Sequence, residues 1–387
     1  MQIAHKPRHY IAIDFVRFLA ALLVMISHYW ALYYFSVSGP AFPKTADQLP
    51  LHHFLKPVYD NGLSAVALFW LISGFVFACT YENKKPTAKE FFISRFSRLY
   101  PLHFATLIIV LLIQIFALEA FGKSQMFGNN DAYHFVLNLF FISSWGFQKG
   151  LSFNGPIWSV SIEIAIYIVY FLSIPVLRKF QVLGPISLII GFYTLMTAGV
   201  PGGFWACGYY FYIGVLLFTF LMRANGRCAT AGIGLIGAYI SIKIFFSDCP
   251  APYSLPLLFS GIILCAATLD STRRTNFIFK KIAWLGESTY GIYLCHMPFI
   301  WFMNCVFNLT NLNRGEIISS PYFLLAYIAA VLALARLSYL YIELPAKQYI
   351  RGRYSRRPSI NHEPAHEPAH EPALKTAAAQ ARAARVQ

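Results

Sequence analysis

The chain has 387 residues, of which 57% are hydrophobic, 17% aromatic and only 12% charged, with a formal net charge of +15. Soluble domains carry about a quarter charged residues, so this composition excludes a soluble enzyme or binding module and predicts an all-α integral membrane protein. The positive charge is dispersed over separate segments, which argues against a nucleic-acid partner and for an orientation signal with some attraction to membrane lipid.

Runs of about 20 apolar residues, the length that crosses a bilayer, predict ten transmembrane helices at roughly 11–34, 61–80, 102–121, 157–177, 182–198, 204–222, 229–247, 252–269, 283–306 and 321–343. With the N-terminus in the cytoplasm, 23 of the 31 lysines and arginines fall on that side, so both termini are expected to be cytoplasmic. The first run is too long for a signal peptide, holds Asp14 and Arg17 and lacks a clean small-residue cleavage site, so it reads as a retained span. No repeat relates the two halves, which weakens an inverted-repeat transporter. The long external segments 35–60 and 122–156 are rich in aromatic residues, and the apolar patch at 134–145 reads as a re-entrant or interfacial helix.

Residues 1–350 read as one membrane domain and 351–387 as a basic, low-complexity cytoplasmic tail. Proline at every fourth position of the HEPA repeat (362–373) prevents a regular helix, and so few apolar residues cannot build a core. The tail histidines read as part of a solvated linker. The seven cysteines have no paired spacing, so neither a metal site nor a disulfide framework is expected.

Four patterns stand out from the apolar background. The first is Arg17 and His28 within one span. An arginine at a helix centre costs about 2.5–3.5 kcal/mol on insertion scales. Eleven residues turn the helix by about 1100° and rise about 16 Å, so both side chains share a face at two depths. Asp14 is spaced to pair with Arg17. The bland reading is a snorkelling arginine and a histidine bonded to a neighbouring helix; the sharper one makes His28 a base.

The second pattern is Trp158-Ser-Val-Ser-Ile-Glu163, which places Glu163 at the expected depth of His28 as a partner for it; alternatively, Glu163 is bonded to a serine or to backbone. The third, Arg95-Phe-Ser-Arg98, presents two guanidinium forks suited to phosphate, or simply anchors the loop at the membrane. The fourth comprises Ser73 and Gly74 in the second span and Ser288, Tyr290, Tyr293 and His296 in the ninth. Small residues there suit close helix packing, and the hydroxyl and imidazole groups suit a polar passage.

Taken together, the Arg17–His28 spacing, FWLISGF ending at Phe75, RFSRLYP at 95–101, WSVSIE at 158–163, STYGIYLCH ending at His296 and ELP at 343–345 resemble the membrane acyltransferase 3 family over about residues 8–350. The resemblance implies a bacterial inner-membrane enzyme that moves an acyl group, most often acetyl, from cytoplasmic acetyl-CoA to a carbohydrate or glycolipid hydroxyl outside, without a metal. It implies His28 as the base assisted by Glu163, Arg17, Arg95 and Arg98 at the donor, and Ser73, Trp158, Tyr290 and His296 lining the substrate path. Some relatives carry an extra external domain, and with only a short tail after the tenth span the chemistry is expected to rest on the membrane core or on another protein. The rival readings are a transporter or flippase for a lipid-linked sugar or acyl metabolite, and a structural subunit of a polysaccharide assembly.

Overall fold

The computed structural model describes residues 10–34, 46–124, 127–224, 228–246, 250–269, 282–310 and 312–354, and every regular element among them is helical. In chain order they are α1 (Ile11–Ser27), α2 (His52–Asn61), α3 (Ala65–Tyr81), α4 (Ala88–Phe121), α5 (Ala132–Leu139), α6 (Ile157–Lys179) and α7 (Leu183–Thr197). There follow α8 (Phe204–Arg223), α9 (Cys228–Phe245), α10 (Ala251–Leu269), α11 (Thr289–Thr310), α12 (Arg314–Ser319), α13 (Pro321–Ser338) and α14 (Leu344–Tyr354).

Nine helices among the described residues are long and apolar enough to cross a membrane, which makes this a multi-pass membrane protein. The tenth expected span is α7, whose 15 residues rise only about 22 Å against a hydrocarbon core of about 30 Å. Three boundaries differ from the sequence expectation. The first helix ends at Ser27, leaving His28 as its cap ahead of a separate helical turn at Ala31–Tyr34. The third span starts at Ala88, because a capping box between Thr87 and Glu90 satisfies its first amides. RFSRLYP therefore lies inside one continuous 34-residue helix. The last span passes through a π turn at Tyr339–Glu343 into α14 and so runs past the expected boundary at residue 350. The remainder of the tail lies outside the described residues.

Helix α1 is buried on two sides. Ala12, Ile13, Ala20 and Val24 join one core with α3, α6, α8 and α10, whereas Phe18, Ala21 and Met25 join another with α11 and α13. Its neighbour α11 runs parallel to it: Asp14 abuts Gly286 near the start of both, and His28 meets His296 further along. Away from the membrane helices, Asp131 caps α5 by accepting from the backbone amide of His134 at 2.8 Å. That bond, with a second from the His134 ring, holds the Asp131 carboxyl below its ordinary range.

The contact that sets the site most directly is α3 against α8. A Cβ built on Gly74 would lie 1.8 Å from the carbonyl oxygen of Phe211, and one on Gly214 would lie 1.9 Å from that of Leu71. The two backbones touch, as small residues permit in membranes, and this close approach locates Ser73. Gly214→Val is therefore expected to cost on the order of 1–3 kcal/mol or more through overpacking. Thermal unfolding in detergent checks this; a melting temperature equal to wild type would contradict the packing.

Candidate functional site

Five helices surround a central cavity of about 790 Å³, counting its open mouth. Arg17 comes from α1, Ser73 from α3, Arg95 and Arg98 from α4, Glu163 and Tyr167 from α6, and Tyr290 and Tyr293 from α11. A second space, of about 1290 Å³ counting its open mouth, adjoins it at Arg17, Val76, Arg98 and Tyr290, and adds Asp14, Glu287, Glu343 and Lys347 to its wall. Together they are of the size that holds a small organic ligand.

The Glu163 carboxylate organises the central cavity. Its Oε1 accepts from the hydroxyl of Ser73 and, at 2.7 Å, from that of Tyr167, one turn along the same helix. Oε2 has no hydrogen-bond donor among the described residues. Arg17 and Arg98 act on the carboxylate through the Coulomb field, and Arg17 also faces Asp14 at 3.7 Å, the pairing that the sequence spacing predicts.

Two of the three guanidiniums have partners among the described residues, Arg17 in Asp14 and Arg95 in Phe77 and Ser94. Arg95 lies over the Phe77 ring, 4.5 Å from its centroid, and donates to Ser94 Oγ. Arg98, one turn along α4, forms neither a hydrogen bond nor an ion pair among the described residues. The turn that carries it is fastened from α14, where Arg351 donates from Nε to Ser97 Oγ at 3.2 Å and from a terminal nitrogen to the Ser94 carbonyl at 3.3 Å. Three guanidiniums facing one carboxylate leave the central cavity with surplus positive charge, the electrostatic complement of an anionic ligand.

A second constellation lies next to the cavity. The fully buried His296 places Nδ1 3.0 Å from the Ile292 carbonyl and Nε2 3.3 Å from Nδ1 of His28. Nδ1 of His28 is also 2.9 Å from the Val24 carbonyl. A carbonyl only accepts, so His296 carries its proton on Nδ1 and offers a lone pair at Nε2. His28 Nδ1 then faces two acceptors and must carry the proton, which leaves the lone pair on Nε2. That nitrogen has no hydrogen-bond partner among the described residues. Tyr293 connects this pair to the cavity: its ring is 6.1 Å from His296, it lines the cavity, and its hydroxyl is 2.7 Å from Ser159 Oγ.

Of the residues singled out from sequence, Arg17, Ser73, Arg95, Arg98, Glu163 and Tyr290 meet in one cavity. Tyr290 also donates its hydroxyl to the Leu99 carbonyl at 2.8 Å, tying α11 to α4. His28 and His296 form their own pair, so the expected His28–Glu163 contact is replaced by His28–His296 and Glu163–Ser73. Trp158 stands edge-on to Trp70, whose ring lines the cavity, while Trp158 itself lines a separate groove with Trp145 and Trp205. Sequence reasoning missed Tyr167, Lys347 and Arg351. The one-turn spacing of Tyr167 from Glu163 was a usable signal; Arg351 fell in a segment read as tail. No group of residues suited to holding a metal occurs among the described residues.

The sequence profile of the acyltransferase domain family matches residues 10–340. The peptidoglycan O-acetyltransferase OatA of Listeria monocytogenes is 26% identical over 335 residues, covering 74% of this chain and 52% of that protein. The acyltransferase MdmB of Streptomyces mycarofaciens is 34% identical over 123 residues, covering 31% of this chain and 30% of that protein. The chain thus spans about half the length of the first relative and under a third of the second. No solved structure gives a significant match.

Arg351→Ala is expected to lower stability by about 1.5 kcal/mol, the low end for hydrogen bonds to a charged group because the side chain is only half-buried. Truncation after residue 354 should leave the melting temperature unchanged, whereas truncation after residue 343 should lower it. Thermal melts of the three variants check this, and equal melts would contradict the fastening of α4 by α14.

Proposed function

Because this chain belongs to the acyltransferase 3 family, we propose that it is a membrane O-acyltransferase that moves an acetyl group from acetyl-CoA to a hydroxyl of a carbohydrate or glycolipid acceptor. The observation that carries the reading is the combination of the unpaired Arg98 guanidinium in a cavity with surplus positive charge and the free Nε2 lone pair of His28 nearby. The match to the acyltransferase domain over residues 10–340 favours this reading over a carrier for a lipid-linked sugar.

The donor's phosphates bind Arg95 and Arg98, with Arg17 completing the electropositive wall, and its flexible arm runs along the adjoining cavities. Glu343, a buried carboxylate whose Oε1 lacks a donor among the described residues, accepts from an amide N–H of that arm. Glu163 offsets the guanidinium charge and keeps Ser73 and Tyr167 directed at the cavity. His28 takes the proton of the acceptor hydroxyl at Nε2 as the oxygen attacks the thioester carbon. The new carbon–oxygen bond forms, the carbon–sulfur bond breaks, and the leaving thiolate takes the proton back from the imidazolium. In this reading the donor binds on the cytoplasmic side of a bacterial inner membrane and the acceptor outside it, and the lysine and arginine distribution supports that orientation. Trp145, Trp158 and Trp205 provide ring faces for a sugar on that outer side.

The test is acetyl transfer by the purified protein in proteoliposomes, alongside the acetyl content of surface glycans by mass spectrometry. His28→Ala is expected to lower kcat by about 100-fold or more, the low end of general-base contributions. Arg98→Ala should raise the KM for acetyl-CoA by about tenfold, the loss of roughly 1.4 kcal/mol of binding. Unchanged transfer by correctly inserted His28→Ala protein would overturn the base assignment, and an unchanged KM in Arg98→Ala would overturn the donor site.

A further inference from the structure

We propose that His296 is a positioning residue that fixes the tautomer and orientation of His28 through a neutral histidine–histidine pair. The inference deepens the reading of His28 as base and rests on it. It assigns His296 a role different from that of a residue lining the substrate path.

The argument is an accounting of protons. Val24 and Ile292 contribute carbonyls, which only accept. Nδ1 of His296 lies 3.0 Å from the Ile292 carbonyl, so it bears hydrogen and its Nε2 bears a lone pair. That lone pair and the Val24 carbonyl both face Nδ1 of His28, at 3.3 and 2.9 Å. Were the His28 proton on Nε2 instead, three lone pairs would converge with no hydrogen among them. The pair thus excludes the tautomer that could not act as a base at Nε2. The rings lie 5.1 Å apart at 32°, and His296 is 0% exposed, so His28 has no freedom to flip without stranding its partner.

The second half of the role appears after proton uptake. The imidazolium then donates from Nδ1 into the His296 lone pair, which is oriented for it in advance. A carboxylate in that position would stabilise the cation more strongly, but it would also bring a full charge into an apolar helix interface, where an unpaired charge is costly. A neutral imidazole supplies direction without that charge. His28 also stands at the cap of α1 rather than within it, where the Val24 carbonyl of its own helix accepts from Nδ1 and His296 adds a second acceptor from α11.

Three substitutions separate the atoms involved. In His296→Gln the side-chain amide oxygen reaches the position of Nε2 and can accept from His28; in His296→Asn the amide reaches only as far as Nδ1; His296→Leu removes both. Measured on inserted protein in nanodiscs, His296→Leu and His296→Asn are expected to lower kcat by about 10- to 100-fold with the KM for acetyl-CoA unchanged within about twofold. His296→Gln should retain most of kcat. Nitrogen-15 NMR of labelled histidine should show a single Nδ1–H tautomer for His28 in wild type and His296→Gln, and a mixture in His296→Leu. Wild-type kcat and an unchanged tautomer in His296→Leu would overturn the inference, as would equal losses in the Gln and Leu variants. If His28→Ala retains activity, the base reading itself fails; the NMR spectra still report whether His296 sets the His28 tautomer.

Discussion

A carboxylate embedded among apolar helices has to be satisfied by whatever surrounds it, and the cost of failing to do so shapes this site. Glu163 recruits the Ser73 hydroxyl from α3, the Tyr167 hydroxyl from its own helix, and the fields of Arg17 and Arg98 from α1 and α4. Removing any one of these would leave charge or polar groups uncompensated in a medium where that costs several kcal/mol. The same requirement explains why α3 lies so close to α8. Only with glycine at 74 and 214 do the backbones meet, and only then does Ser73 come within reach of the carboxylate. Packing and electrostatics are one constraint here.

Once that hub is made, two functional groups remain unspent. Arg98 has no ion-pair or hydrogen-bond partner among the described residues, and His28 retains a free lone pair at Nε2. Several ionisable side chains near them are paired: Asp14 with Arg17 at 3.7 Å, Arg336 with Glu287 at 3.0 Å, and Arg351 with the α4 turn. A free cation and a free base are what a two-substrate transfer requires, one to hold an anionic donor and one to accept a proton. Tyr290 ties α11 to α4 beside Arg98, and further along α11 His296 meets His28.

The helices were legible in the sequence because twenty-residue apolar runs have few alternatives in a bilayer. The Asp14–Arg17 pair was legible because three residues on a helix fix both height and azimuth. The partner of Glu163 was not. Sequence gives the depth of a residue within its own span but not the rotation of that span against its neighbours, so His28 and Glu163 could share a depth and still belong to different constellations. That His28 meets His296, while Glu163 meets Ser73, depends on how α1 packs against α11 and α6 against α3, which no local pattern encodes. Arg351 was hidden differently: the composition turns basic there, yet the π turn at Tyr339–Glu343 lets the helix continue and bring that arginine back to α4. The chain's membership of the acyltransferase 3 family came from ordered short motifs rather than from any single one.

The central claim is that the arginine cavity and the His28 lone pair serve one reaction. The most direct measurement is a cryo-EM structure with a non-hydrolysable thioether analogue of acetyl-CoA. The account predicts phosphates against Arg95 and Arg98 and the acyl carbon beside Nε2 of His28, with room for one hydroxyl oxygen between them. An acyl group ending in the central cavity with Tyr293 standing between it and His28 would contradict the account.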